Sequence, residues 1–174
     1  MWISKLRKVF VLGVLTAILS GSSRHTAETK AAGPTLVITM DYAGGLLPYN
    51  AAWHPYLRIY SNGAVTVTSP VNGAQTHARL TAAQLNDLLA FVTVRNQFLT
   101  LSTAQIANAI AAQNPMFVIG DGTTTSITLS TKKGPHTVSV YAADTYFGVY
   151  PTIKPLAEFI AIEQRLQQIA NTAK

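Results

Sequence analysis

The sequence has no cysteine, and charged residues make up only 11% of its 174 positions. The lack of cysteine excludes disulfides, a thiol nucleophile and lipid attachment through an N-terminal cysteine. The fold must therefore depend on packing alone. The chain is long enough for one domain with a substantial hydrophobic core.

The basic residues lack the clustering that nucleic-acid binding requires. Three of the thirteen lie in the first 22 residues, which leaves ten basic against seven acidic residues. Most of the ten are dispersed: Arg58, Arg79, Arg95, Lys132, Lys133, Lys154 and Arg165. Nucleic-acid-binding proteins gather Lys and Arg on one face. We therefore expect no nucleic-acid partner.

The first residues have the pattern of an export signal. An apolar run at residues 9–19 precedes the small residues Ser20–Ser23. Three basic residues come before it: Lys5, Arg7 and Lys8. A bilayer core requires about 20 apolar residues, roughly twice this run, so the pattern favours a cleavable signal peptide. The alternative is an uncleaved helix that anchors the chain in a membrane.

This pattern sets the expected organisation of the chain. We predict a signal peptide at residues 1–22 with cleavage after Ser22, a flexible leader at 23–34, and a single domain at 35–174. The mature protein would be secreted or extracytoplasmic. It would contact a membrane only through an uncleaved signal.

Runs of β-branched and aromatic residues beside turn residues predict strands. The first strand is expected at residues 35–42. Asn62-Gly63 joins two alternating runs into a hairpin, since this pair adopts positive φ at both positions of a tight turn. Residues 116–120 are expected to form a short strand, and a further hairpin flanks the turn at 132–135.

Capping patterns predict the helices. Thr81 with Gln84, and Ser102 with Gln105, have the spacing of a capping box. Pro155 suits the first turn of a final helix that carries an apolar stripe. A loop rich in aromatic residues is expected before it.

Together these elements predict an α+β fold, with an antiparallel sheet and helices packed on one face. The order of the elements also fits two tandem halves, each made of a hairpin and a helix.

The segment LRIYSNGAVTV followed by LTAAQLNDLLAFV resembles a pattern in a group of exported bacterial domains of unknown function. In these domains a strand, an Asp-Gly or Asn-Gly turn and a second strand precede a Leu-rich helix opened by Ser or Thr. The match covers residues 56–98 and consists of fold signals. The resemblance implies the architecture and transfers no catalytic residue. The helix from Ser102 has no place in that pattern.

The sequence contains no motif for nucleotide or metal binding and no Gly-x-Ser-x-Gly nucleophile elbow. The histidines of the expected domain, His54, His77 and His136, lack the spacing of metal ligands. We therefore expect no cofactor and no metal. If the domain is an enzyme, Asp41 and His54, together with a serine, are the residues that we assign to its site.

Paired carboxylates for sugar hydrolysis are not expected. Three of the acidic residues, Asp87, Glu158 and Glu163, fall on helix faces that we expect to be solvated.

Aromatic residues near two expected loops are the candidates for binding: Trp53, Tyr56, Tyr146, Phe147 and Tyr150. Such side chains supply a large contact area at low entropic cost. The alternative, which we favour, is that these rings cover the open edge of the core.

The sequence favours an exported, non-catalytic binding or interaction domain, whose partner is an unknown protein or a cell-envelope component. We expect a monomer. One alternative is a small exported hydrolase with a site assembled from distant residues. Another is an inhibitor-like protein that presents aromatic loops, since the order of elements resembles that of some secreted enzyme inhibitors.

Overall fold

A computed structural model describes residues 33–45, 54–116 and 118–173 of the chain. The predicted signal peptide at residues 1–22 lies outside the described residues, as does the leader up to residue 32. The strands are β1 (Leu36–Gly44), β2 (Leu57–Tyr60), β3 (Ala64–Thr68), β4 (Gln75–Arg79), β5 (Thr123–Thr131) and β6 (Gly134–Tyr141). They form a six-stranded antiparallel sheet in the order β4-β3-β2-β1-β5-β6.

The helices are α1 (Ala82–Ala90), α2 (Thr103–Ala111), α3 (Ala143–Val149) and α4 (Lys154–Thr172). A π-helical turn extends α1 through Arg95, and a 3-10 turn at Phe98–Thr100 leads towards α2. Thr81 and Gln84 form the predicted capping box, and the Ser102 hydroxyl accepts the Gln105 N–H. Both helix starts are therefore confirmed. Among the described residues, no helix combines the length and the apolar character that crossing a bilayer requires.

The hydrophobic core lies between the sheet and the helices. Alternate strand residues are buried: Ile38, Met40, Leu57, Ile59, Val65, Val67, Ile127, Leu129, Val138 and Val140. Helix α4 adds Leu156, Phe159, Ile160, Ile162, Leu166 and Ile169 to the same cluster. Because neighbouring strand residues point to opposite faces, the other face of the sheet carries mostly polar side chains. The predicted α+β class with an antiparallel sheet is confirmed.

Two predicted segments have a different structure, and one strand was not predicted. The described residues of 116–120 lie outside any strand, whereas the stretch expected to be an aromatic loop contains α3. Strand β4 was missed because its sequence, QTHAR, has no alternation of apolar residues.

The turn between β2 and β3 also differs from the prediction. Gly63 has a φ of 81°, but Asn62 is not among the residues with positive φ. The loop therefore has three residues with the positive φ at its last position, a common hairpin geometry. The Asn62 side chain instead accepts the N–H of Ala64.

The two halves of the chain contribute unequally to the sheet. The first half supplies the meander from β1 to β4, and the second supplies only the hairpin of β5 and β6. Strand β5 pairs with β1, so β1 is a central strand that connects the two halves.

Candidate functional site

An apolar groove of about 500 Å³ lies between α2 and β6, beside α3. Ile106 and Ile110 of α2 and Val140 of β6 form its apolar part, and the rings of Tyr141 and Tyr146 also line it. Among the described residues that line the groove, none is charged. A volume of this size falls in the range of small-molecule sites, which is roughly 300–1,000 Å³.

Hydrogen bonds hold both sides of this groove. The N–H of Ser139 on the edge strand β6 donates to the Thr103 hydroxyl at 2.9 Å, which fixes the start of α2 beside the sheet. At the other end, the Tyr141 hydroxyl donates to the carbonyl of Ile119 at 3.0 Å and accepts the Gly122 N–H at 2.7 Å. Tyr141 thus ties the segment before β5 to β6.

The structure separates the predicted aromatic binding residues. Tyr146 on α3 lines the groove, whereas Tyr56 lies near β2 with its ring centroid 5.3 Å from that of Tyr42. Four of these residues are partly buried and pack against the core: Tyr56, Tyr146, Phe147 and Tyr150. Trp53 lies outside the described residues. In the described part of the chain, these four rings therefore contribute to packing against the core.

Asp41 and His54 lie together, as the hydrolase alternative requires. The His54 Nδ1 is 2.6 Å from the Asp41 Oδ1, which also accepts the N–H of Tyr56 at 3.1 Å. An ionised carboxylate can only accept hydrogen bonds, so Nδ1 carries the proton. The Arg58 guanidinium donates to the His54 carbonyl at 2.5 Å and to the Thr68 hydroxyl at 3.1 Å, which fixes the backbone at this point.

Hydroxyl groups occur on the same face of the sheet as Asp41. Ser126 of β5 stands opposite Asp41 in the strand register, and its hydroxyl lies 2.8 Å from that of Ser139. The hydroxyls of Ser126 and Ser139 therefore hydrogen-bond to each other. The structure thus places an Asp–His pair and serines on one face without a described hydrogen bond between them.

Glu163 is buried, so the prediction that it lies on a solvated helix face is wrong. Only 1% of the residue is exposed. Its Oε1 accepts the Thr125 hydroxyl at 3.0 Å and lies 3.4 Å from the Gln167 amide nitrogen, whereas Oε2 has no hydrogen-bond partner.

The surroundings of Glu163 change its titration. Burial raises the pKa of Glu163 to about 7, and the negative charge of Asp144 acts in the same direction. The hydroxyls of Thr125 and Tyr42 act in the opposite direction. A sequence signal for this burial exists, because position 163 lies four residues after Phe159 and three before Leu166, on the apolar stripe of α4.

In the part of the chain that the structure describes, no three His, Asp or Glu residues are grouped so that they could hold a metal ion. Comparison of the chain with protein families, with curated proteins and with solved structures gave no match. The features that bear on function are therefore the groove, the Asp–His pair and the buried glutamate.

Proposed function

We propose that this chain is an exported, non-catalytic binding domain that holds an uncharged, largely apolar small molecule in the groove between α2 and β6. The observation that supports this function is the apolar groove of about 500 Å³ with no charge among its described lining residues. The resemblance to exported bacterial domains stays a prediction. It transfers no catalytic residue to this chain, and a binding role requires none.

The lining of the groove supports the chemistry of this ligand. Ile106, Ile110 and Val140 offer apolar contact, while Asn114 supplies a polar edge. A buried charge without a counter-charge costs several kcal/mol, so the groove disfavours an ionised ligand. If the partner is a component of the cell envelope, we therefore expect it to be an uncharged, largely apolar molecule.

The groove can be blocked without disturbing the core. Ala107 lines the groove and is exposed, so the substitution Ala107→Trp fills the space with an indole ring. Ala104 is exposed on the same helix and does not line the groove, which makes Ala104→Trp the matched control.

The probe for this test is N-phenyl-1-naphthylamine, an uncharged apolar molecule whose fluorescence rises in an apolar site. We expect the native chain to bind it with a Kd on the order of 100 μM. Ala107→Trp should weaken binding at least about tenfold, a loss of about 1.4 kcal/mol, and Ala104→Trp should not. Equal binding by both variants, or none by the native chain, would contradict the proposal.

A second candidate function is a small exported hydrolase, and the Asp41–His54 distance of 2.6 Å is the observation that favours it. A carboxylate that holds a histidine in one tautomer is the arrangement used to activate a hydroxyl nucleophile. Hydrolysis of a series of p-nitrophenyl esters tests this candidate. Turnover that falls at least about a hundredfold in His54→Gln would support it, and absence of turnover by the native chain would remove it.

A further inference from the structure

A second cavity, of about 420 Å³, opens between β1, α3, α4 and the start of β5. Its carboxylic residues are Asp121, Asp144 and Glu163, and none of its described lining residues is a lysine or an arginine. Asp121 and Asp144 are exposed, whereas Glu163 is buried. The cavity therefore has negative charge at its mouth and a carboxyl group at its floor.

The floor of this cavity has an unmet hydrogen-bonding requirement. The Oε2 atom of Glu163 is buried without a partner, while Oε1 already accepts the Thr125 hydroxyl. A buried, ionised carboxylate is unfavourable unless a positive charge or a donor approaches it. No described residue makes a hydrogen bond to this oxygen, and a proton on Glu163 or a cation that enters the cavity would stabilise it.

The spacing of the carboxylates selects the kind of cation. A bare metal ion requires several oxygen atoms within about 2.0–2.6 Å of one point. No three acidic or histidine residues of the described chain are grouped in that way. An organic ammonium ion needs direct contact with only one carboxylate, and more distant carboxylates attract it through space. A primary ammonium group has three N–H donors and no acceptor, which suits carboxylates beside hydroxyl groups.

We propose that this cavity binds the ammonium group of a small primary amine, with Glu163 as the ligand at its floor and Asp144 and Asp121 at its mouth. The Tyr42 and Thr125 hydroxyls line the same cavity and complete its polar wall. The site is distinct from the groove between α2 and β6, so either proposal can fail without the other.

Binding of an amine at this floor would be coupled to a proton. The titratable groups that face Glu163 are Tyr42 from β1, Asp144 from α3 and Asp121 from the segment before β5. Burial raises the pKa of the Tyr42 phenol above its ordinary value, so this group stays neutral near pH 7. With a pKa of about 7, Glu163 is roughly half protonated at that pH. An ammonium ion that binds the ionised form therefore releases about 0.5 proton.

Calorimetric titration of the native chain with methylammonium and with ethanolamine at pH 7 tests the site. Titrations in phosphate and in MOPS, which differ in ionisation enthalpy and contain no primary amine, measure the protons released. We expect millimolar or tighter binding with release of about 0.5 proton, and binding that strengthens about tenfold from pH 6 to pH 8. Tetramethylammonium, which has no N–H donor, should bind at least about tenfold more weakly.

Three variants complete the experiment. Glu163→Gln should weaken methylammonium binding at least about tenfold and abolish proton release, and Asp144→Asn, at an exposed position that the core does not need, should weaken binding severalfold. Glu158→Gln is the matched control, since Glu158 lies on the same helix but does not line the cavity. The proposal is overturned if the native chain binds no amine at about 10 mM and pH 8, or if Glu163→Gln and Asp144→Asn bind as the native chain does.

Discussion

Glu163 makes the stability of this chain depend on pH. Its pKa is raised from 4.5 to about 7, so the folded chain holds the proton more tightly than the unfolded chain does. Below about pH 4.5 both states are protonated and nothing is lost. Between about pH 4.5 and pH 7 the unfolded chain loses this proton while the folded chain keeps it, so the free energy of unfolding falls by about 3 kcal/mol and levels off once the folded chain has ionised above pH 7. Urea unfolding between pH 4 and pH 8 should show this fall for the native chain and not for Glu163→Gln.

The difference between the two profiles isolates Glu163, because all other residues are the same in both chains. Parallel profiles would show that the carboxyl group is not perturbed by its surroundings.

Single residues were predictable from the sequence to different degrees. The sequence analysis assigns Asp41 and His54 to one site, and their side chains lie 2.6 Å apart. The burial of Glu163 could have been inferred from the stripe of α4, but its cavity could not, since Asp121 and Asp144 lie far from Glu163 in the sequence.

At the scale of elements, the turn between β2 and β3 depends on a glycine. Gly63 has a φ of 81°, and a Cβ there would lie 2.2 Å from the Leu80 carbonyl oxygen. The N–H of Leu80 donates to the Gly63 carbonyl at 2.8 Å, so this contact joins the end of β4 to the hairpin. We expect Gly63→Ala to reduce the free energy of unfolding by at least about 2 kcal/mol, through both backbone strain and the clash.

Gly148 provides the matched control for that substitution. It lies within α3, and a Cβ there would meet nothing within 4 Å. Gly148→Ala should therefore raise the free energy of unfolding by about 0.5–1 kcal/mol, because alanine favours the helix. Both values come from urea unfolding at one pH. If Gly63→Ala were no less stable than Gly148→Ala, the role assigned to the turn would be wrong.

Elements with local signals were predictable, and those without them were not. The capping residues Thr81 and Ser102 identified two helix starts, because the signal and the structure lie in the same few residues. Helix α3 has no such signal: it begins after Ala142, whose side chain makes no capping hydrogen bond, and it contains Gly148. Strand β4 is recognisable only from its pairing with β3.

At the scale of the whole molecule, the class of fold was predictable but the arrangement of its strands was not. The sequence shows hairpins, which fix β2 beside β3 and β5 beside β6. It does not show that the chain returns after α1 and α2 to place β5 beside β1. That long-range pairing closes the core and brings Ser126 opposite Asp41. Both cavities involve the start of β5, so neither could be read from the order of elements.

The expected route of the chain out of the cytoplasm gives a prediction for the entire protein. Lys5, Arg7 and Lys8 before the apolar run at residues 9–19 should direct export, and cleavage should follow Ser22. Intact mass of the protein from fractions of a bacterial host should correspond to a chain that begins at Ser23, in the periplasm or the medium. Full-length chain in the membrane fraction would instead indicate an anchored domain.

A charge placed in the apolar run separates these outcomes from incidental proteolysis. Leu15→Arg puts a cation at the centre of the run, where a membrane-inserted helix tolerates it poorly, at a cost of about 2.5–3.5 kcal/mol. We expect this variant to remain full-length in the cytoplasm. Asn171→Arg adds the same charge at an exposed position near the other end of the chain and should be processed as the native protein is. If Leu15→Arg were also shortened to Ser23, the shortening would come from a protease unrelated to export, and the export signal would have no part in it.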